Sequence, residues 1–413
     1  MDHGERRLLA GEAHARPTAP VPARSLVLHA ALRHADGGAA ARAFANALCE
    51  RAGVPPPPRD VDHAVFMLDC DLLKWERHGE FTTWTLVRPG AQDAAAPILE
   101  PPPFEDAPGE RFVAAAAFVS PDRPTDALLD AVLGPESPEN ERAAALISDS
   151  LCGIWTGFRI GDDGWTRFLV QDAGLGPFRA GRVVRRLLEI ETYRIAALFA
   201  FPLAKEARHE LDTLEAQVGA AIADEAAGEA DTLDALTFSA RRIEAIAQRT
   251  AFRFAAAAAY RTLVGQRLKE FREERIPGYQ RLSAFLDRRF QPAMDTCAAT
   301  AARIETLAKR VERASGLLRT RIDLQRQAQN QRLLESMNEN ARTQIRLQKA
   351  VEGFSVAAIS YYAYMLLAKV LAPVLDAAGL RDSHAVQAGL VVGVIATVWL
   401  VLWALRRRLD RPD

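Results

Sequence analysis

The stretch AVQAGLVVGVIATVWLVLWALRRR, residues 385–408, decides the fold class of this chain. Its first 21 positions carry no charge, and as a helix that length crosses a hydrocarbon core of roughly 30 Å. Trp399 and Trp403 fall near its end, where interfacial aromatic rings belong. Arg406, Arg407 and Arg408 follow at once as a cytoplasmic anchor. A second apolar run precedes it, FSVAAISYYAYMLLAKVLAPVL at 354–375, whose one charge is Lys369. A lysine that close to a helix end can extend its ammonium to the interface. Pro373 is expected to help end this helix.

The flanks set an orientation. Arg342, Arg346 and Lys349 precede the first run and the arginine triplet follows the second, whereas the loop between them holds Arg381 as its cation beside Asp376 and Asp382. Short loops rich in Lys and Arg stay in the cytoplasm. Both termini are therefore expected inside and the loop outside, giving a multi-pass protein of a bacterial inner membrane. Within the second run Ala385, Gly389, Gly393 and Thr397 recur every four residues. On a helix they form a small-residue packing stripe, open either to the first run of the same chain or to another copy.

Charge divides the chain. From Arg303 onward there are 17 Lys or Arg against 10 Asp or Glu, so with a formal net charge of −1 overall the preceding residues carry −8. An acidic front argues against nucleic acid as a partner, and a basic rear suits an anionic lipid bilayer. The four cysteines, Cys49, Cys70, Cys152 and Cys297, are far apart and form no C-x-x-C pair. The opening MDHGERRLLAGEAHARPT has no apolar core of a secretory signal. These features predict a cytosolic bulk with reduced, buried thiols.

Residues 1–176 read as an α+β domain. Strand patterns occupy 25–32, 63–69, 81–89, 111–119, 151–160 and 165–172, the last two joined by the turn sequence GDDG, with helices over 41–53 and 126–134. The proline runs at 55–58 and 101–103 read as rigid loops. After Gly174-Leu175-Gly176-Pro177 strand patterns stop. The helical region 177–350 then reads as three helices: about 178–228, interrupted by AAGEAD; about 231–275, ended by IPG; and a stalk over about 279–350 that runs into the first apolar run. Val311, Ile322 and Leu333 stand eleven residues apart, which predicts a straight or slightly right-handed bundle. Such a long helix with a polar seam needs partners, either the two preceding helices, other subunits or both, and a homo-oligomer and coiled coil are expected. The division is completed by a membrane hairpin over 351–405, with spans at about 354–375 and 385–405, and a basic tail over 406–413.

Catalytic signatures are missing: there is no G-x-x-x-x-G-K-[ST], H-E-x-x-H or G-x-S-x-G. Glu12, His14 and Arg16 alternate in EAHARP, as an ion pair on an extended surface segment would, or as an anion or metal contact. Asp69, Asp71 and Glu76 lie close in LDCDLLKWE, as solvated strand-end carboxylates or as a divalent-cation site. No catalytic residue and no cofactor is evident, and a non-enzyme is expected.

GEAHARP and the segment LLESMNENARTQIRLQKAVEGFSVAAISYYAYMLLAKVL at 333–371 resemble an uncharacterised bacterial family described as predicted membrane-anchored proteins. That resemblance implies an anchor and no named activity. The layout is also similar to CorA-type magnesium channels, with SMNEN at 336–340 before the first span. The Gly-Met-Asn signature of those channels occurs nowhere here; APVLDAAGLRDSH stands in its place. The first expectation is therefore a membrane-anchored, oligomeric binding or scaffold protein. The alternative is a CorA-like divalent-cation channel. Its candidate pore or packing face is Gly353, Ala357, Ser360, Tyr361, Tyr364 and Ala368, with Asp376 and Asp382 of the outer loop at the mouth.

Overall fold

In the computed structural model, residues 18–91, 100–137, 140–148, 150–224, 226, 228–377 and 383–409 are described. The chain divides into two compact units, Met1–Gly316 and Leu317–Asp413.

The first unit is built on one nine-stranded sheet. Its strands are β1 (Ser25–Arg33), β2 (His63–Leu68), β3 (Asp71–Arg77), β4 (Phe81–Pro89), β5 (Glu110–Ser120), β6 (Ala143–Ile147), β7 (Cys152–Ile160), β8 (Thr166–Asp172) and β9 (Glu274–Arg275). Their order is β2-β3-β4-β1-β5-β8-β7-β6-β9. Neighbours are antiparallel except β5 and β8. GDDG is the turn of the β7–β8 hairpin, as expected. Three strands escape the sequence reading. β3 carries Lys74 and Glu76 where an apolar alternation is sought, β6 is mostly alanine, and β9 is two residues long.

Eight helices are described: α1 (Ala39–Arg51), α2 (Asp126–Leu133), α3 (Pro177–Leu198), α4 (Ala200–Ala223), α5 (Glu229–Phe271), α6 (Leu282–Arg289), α7 (Gln291–Ala377) and α8 (His384–Leu409). Two prolines correct the expected helix boundaries. Pro202 cannot donate to the Leu198 carbonyl and its ring crowds that group, so the expected 178–228 helix divides at Phe199 into α3 and α4. Pro292 likewise divides the expected 279–350 stalk into α6 and α7, taking the first-turn position of α7 where no N–H is needed. IPG does not end α5. That helix stops at Phe271, with Arg272 in the left-handed region, and β9 comes before Pro277-Gly278 turns the chain back.

α3, the start of α4, the second half of α5, α6 and the start of α7 pack on one face of the sheet. Val27, Ala115, Ile154 and Phe168 from the strands meet Val184, Leu187, Ala204, Val264 and Phe285 from the helices there. α1 covers the other face around Trp75 and Trp84, and α2 covers it around Trp155. Apart from β9, position 176 marks where strands give way to helices, while sheet and helices share one compact unit.

α4, the first half of α5 and the start of α7 continue as a small bundle. Buried positions step by four and three in each: Ala200, Ala204, Ala207, Leu211, Leu214 and Val218 in α4; Thr232, Leu236, Ser239, Ile243, Ile246 and Thr250 in α5; Ala293, Cys297, Thr300, Ile304, Leu307 and Val311 in α7. Arg303 of α7 pairs with Asp212 (2.9 Å) and Glu215 (2.7 Å) of α4, and Arg261 of α5 with Asp295 of α7 (3.0 Å). This overturns the eleven-residue reading of the seam. A four-three alternation is a heptad pattern, which favours a left-handed coil. Of Val311, Ile322 and Leu333, Val311 alone is buried.

In the second unit α7 is exposed over 323–350, including Leu324, Leu333, Leu334, Met337 and Ile345. α7 and α8 each contain a segment long and apolar enough to cross a membrane; that of α8, His384–Ala404, has a mean hydropathy of 2.3. Pro373 does not end α7, which continues to Ala377. A proline near a helix C-terminus costs one backbone bond and leaves the following residues free to stay helical.

Candidate functional site

The polar residues that spoil the apolar pattern of β3 and β4 converge on one place. Successive side chains of a strand alternate between faces, so Val27 and His29 of β1, Lys74 and Glu76 of β3, and Thr83, Thr85 and Val87 of β4 all share the helix-covered face. Register aligns them in rows. Lys74 stands opposite Thr85 and Thr85 opposite His29; Glu76 stands opposite Thr83. From above, α3 presents Gly181, Val184, Arg185, Leu188, Glu189 and Thr192, which recur at three- and four-residue steps and so share one face. Arg267 of α5 completes the lid. Together with Ala19 and Val21 these residues line a cavity of about 170 Å³. The Val21 N–H donates to the Pro177 carbonyl (2.9 Å), which ties this entering segment to the start of α3. Gly181 is required there, since a Cβ would stand 2.1 Å from the Ala19 carbonyl oxygen.

His29 is the centre of the polar row and is buried. Its Nε2 lies 3.0 Å from Thr192 Oγ1 and its Nδ1 lies 2.8 Å from Thr85 Oγ1. Thr192 spends its single hydroxyl proton on the Leu188 carbonyl (2.9 Å). It can therefore only accept from the imidazole, which places the ring proton on Nε2 and leaves Nδ1 to accept from Thr85. Burial drives the His29 pKa down to about 3; nearby Glu76 opposes this and His78 and Lys74 reinforce it. The imidazole is neutral near pH 7, with both nitrogens engaged.

Lys74 is also buried, at 4% exposure, and pairs with Glu76 at 2.9 Å. On the helix side Glu189 receives Arg185 (3.0 Å) and Arg267 (2.5 Å). Glu270 receives Arg186 (2.6 Å) and Arg267 (2.9 Å). Tyr193, at the cavity wall, stacks on Tyr260 (5.6 Å between centroids), whose hydroxyl donates to Glu80 at 2.8 Å. Burial, then that hydrogen bond, pushes the Tyr260 pKa well above the usual phenol range. His78, whose Nε2 lies 3.3 Å from Thr83 Oγ1, also lines the cavity, and the rest of the lining is apolar: Val21, Val27, Phe81, Val87, Val184 and Leu188. A binding cavity generally has this make-up, with a few placed polar groups in an apolar wall.

The residues singled out from the sequence fall elsewhere. Glu12, His14 and Arg16 lie outside the described residues. Asp69, Asp71 and Glu76 do not converge: Asp71 pairs with Arg88 (2.9 Å) at one end of β3, Glu76 faces the cavity at the other, and Asp69 sits at the β2–β3 turn. Among the described residues no group of three His, Cys, Asp or Glu is placed to hold a metal ion. Cys49, Cys152 and Cys297 are buried and Cys70 is exposed. In α7, Ser360 is buried, Tyr364 and Ala368 are half-buried, and Gly353, Ala357 and Tyr361 are exposed. In α8 the shielded residues are Val386, Leu390, Val394, Val398 and Leu402, one every four positions, while Ala385, Gly389, Gly393 and Thr397 are exposed. Trp399 and Trp403 are exposed as well. Asp376 lies in the last turn of α7, Arg406, Arg407 and Arg408 lie within α8, and Asp382 is outside the described residues.

The sequence model of a family described as a protein of unknown function (DUF3422) matches residues 1–409. The chain belongs to the DUF3422 family. It is thus a member of an uncharacterised family, and the match runs through both units. No curated protein and no solved structure matches the chain. The DUF3422 cavity was missed in the sequence because its residues come from β1, β3, β4, α3 and α5, more than 200 positions apart. The available signal was the pair Lys74 and Glu76 at alternate positions in DLLKWER, followed by Thr83 and Thr85 in FTTWTLV.

Proposed function

We propose that this DUF3422 protein is a membrane-anchored, non-enzymatic binding module. Its globular unit takes a small ligand between the sheet and α3. The observation that carries the reading is the polar row Lys74–Thr85–His29–Thr192 set into the apolar core between sheet and helices. Burying a lysine and a histidine costs several kcal/mol where apolar residues of similar volume would pack, and a structural core has no use for that cost. Both nitrogens of His29 are committed to threonine hydroxyls, an arrangement suited to holding shape rather than to moving protons.

The anchor is the α7–α8 pair, crossing a bacterial inner membrane with both chain ends in the cytoplasm. Its apolar surface and the arginine triplet support this placement. Self-association through the exposed part of α7 and the small-residue stripe of α8 completes the reading, since a helix exposed over 323–350 gains its stability from partners.

A ligand screen on the full-length protein in nanodiscs tests the binding claim. Binding appears as a rise in melting temperature for one chemical class, abolished by Thr192→Val. A response that survives Thr192→Val, or a flat screen across acids, amines, nucleotides and sugars, refutes it. Resistance to alkaline carbonate extraction tests the anchor, and multi-angle light scattering tests self-association, a monomer being the contrary result.

A further inference from the structure

The cavity has its own chemical bias, and this inference rests on the binding reading above. With histidines counted as neutral, its lining holds three basic side chains, Lys74, Arg185 and Arg267, against two carboxylates, Glu76 and Glu189, with His78 beside them. Just behind the lining, Glu270 bridges Arg267 and Arg186 and adds one charge of each sign. The balance at the cavity is therefore one positive charge in excess. Lys74 is the buried cation of the set, while the Arg185 and Arg267 side chains are 36% and 22% exposed, so one further negative charge is best matched beside Lys74.

Hydrogen-bond capacity points the same way. The hydroxyl protons of Thr192 and Thr85 are spent on the Leu188 carbonyl and on His29. The Lys74 ammonium has three N–H donors, and among the described residues its partner is one carboxylate, Glu76. The site thus holds donors in surplus at Lys74. The other wall supplies Val21, Val27, Val87 and Leu188, which offer nothing to a polar group but favour a hydrocarbon body. A water needs roughly 10–15 Å³ of such room, so about 170 Å³ accommodates a molecule on the order of ten heavy atoms.

We infer that the ligand is a small amphipathic monocarboxylate. Its carboxylate accepts from Lys74 on the β3 side, and its branched or aromatic body lies against the valines of β1 and β4 under Leu188. A dianionic phosphate would overshoot the charge balance by one, and a primary amine would add a cation to a site already in excess.

Saturation-transfer difference NMR on the full-length protein in nanodiscs tests this with four matched probes: 4-methylpentanoate, phenylacetate, phenyl phosphate and isopentylamine. The expected result is transfer to the methyl or ring protons of the two carboxylates, with little to the phosphate or amine. Lys74→Met alone leaves Glu76 without its cation, so the double variant Lys74→Met/Glu76→Gln removes both charges together. It should weaken carboxylate binding at least about tenfold. Binding of the amine or phosphate in preference to the carboxylates overturns the inference and leaves a binding cavity standing. Equal carboxylate binding in the double variant also overturns it. Binding of none of the four overturns it as well, and when a wider screen is flat too the binding reading falls with it.

Discussion

Replacing His29 by glutamine should flatten the acid sensitivity of this fold. The folded protein holds His29 near pKa 3, while the unfolded chain exposes it with its ordinary value of 6.5. Between those values the unfolded state binds a proton that the folded state does not. The stability that this neutral imidazole contributes is therefore complete above pH 6.5 and is lost as the pH falls towards 3. One proton taken up on unfolding corresponds to a slope of about 1.4 kcal/mol per pH unit. From pH 6 to pH 4.5 the wild type should thus lose about 2 kcal/mol through this residue alone. Carboxylates that lose their ion pairs in the same range add to the total, so the quantity of interest is the difference between wild type and His29→Gln. Urea unfolding at pH 7, 6, 5 and 4.5 on the full-length protein in mild detergent would measure it. Tryptophan fluorescence reports on the fold there, because Trp75 and Trp84 lie on β3 and β4 beside the polar row. Parallel stability curves for the two proteins over that range would refute the assignment of a buried, neutral His29.

The remaining predictions concern the frame of the cavity and the anchor. Thr192→Val strands the His29 Nε2–H in a buried place and should cost about 1–3 kcal/mol, whereas Thr192→Ser, which keeps the acceptor, should cost far less; equal losses in urea titrations would contradict donation from His29 Nε2 to the Thr192 hydroxyl. Gly181→Ala drives a methyl group into the Ala19 carbonyl, so limited proteolysis should cut faster around residues 18–22, and an unchanged pattern would show that the contact is dispensable. Leu307→Ala, in the heptad seam of α7, should lower stability by roughly 2–5 kcal/mol, while Leu333→Ala, at an exposed position, should have an effect below about 0.5 kcal/mol in the isolated subunit. Reconstituted protein should carry no magnesium flux above that of empty vesicles; selective flux would revive the channel alternative.

The sheet was legible wherever its strands obey a simple apolar pattern. β1, β4 and β5 are rich in branched, aromatic or alanine residues, β4 ends at Pro89 and β5 lies between Gly109 and Pro121, and the observed limits of all three lie within a residue or so of those expected. β3 was invisible for the reason that makes it interesting: Lys74 and Glu76 occupy inward positions, which period-two reasoning reserves for apolar residues. The helix breaks at Phe199 and Phe290 were readable from Pro202 and Pro292, but alanine-rich flanks with strong helical preference masked them. The heptad seam was misread because Ala293, Cys297 and Thr300 are small or polar and do not stand out, whereas Val311, Ile322 and Leu333 do. The cavity itself could not be read locally, since pairing register and the placement of α3 over β1 bring its parts together.

The binding cavity is tested most directly by a structure of the full-length protein with the tightest-binding compound of the ligand screen. Density for that compound is expected between the β1–β3–β4 face and α3, with its acidic group within hydrogen-bond reach of Lys74 and its body against Val27 and Val87. Density at another place, with the cavity holding ordered water alone, would contradict a ligand site under α3.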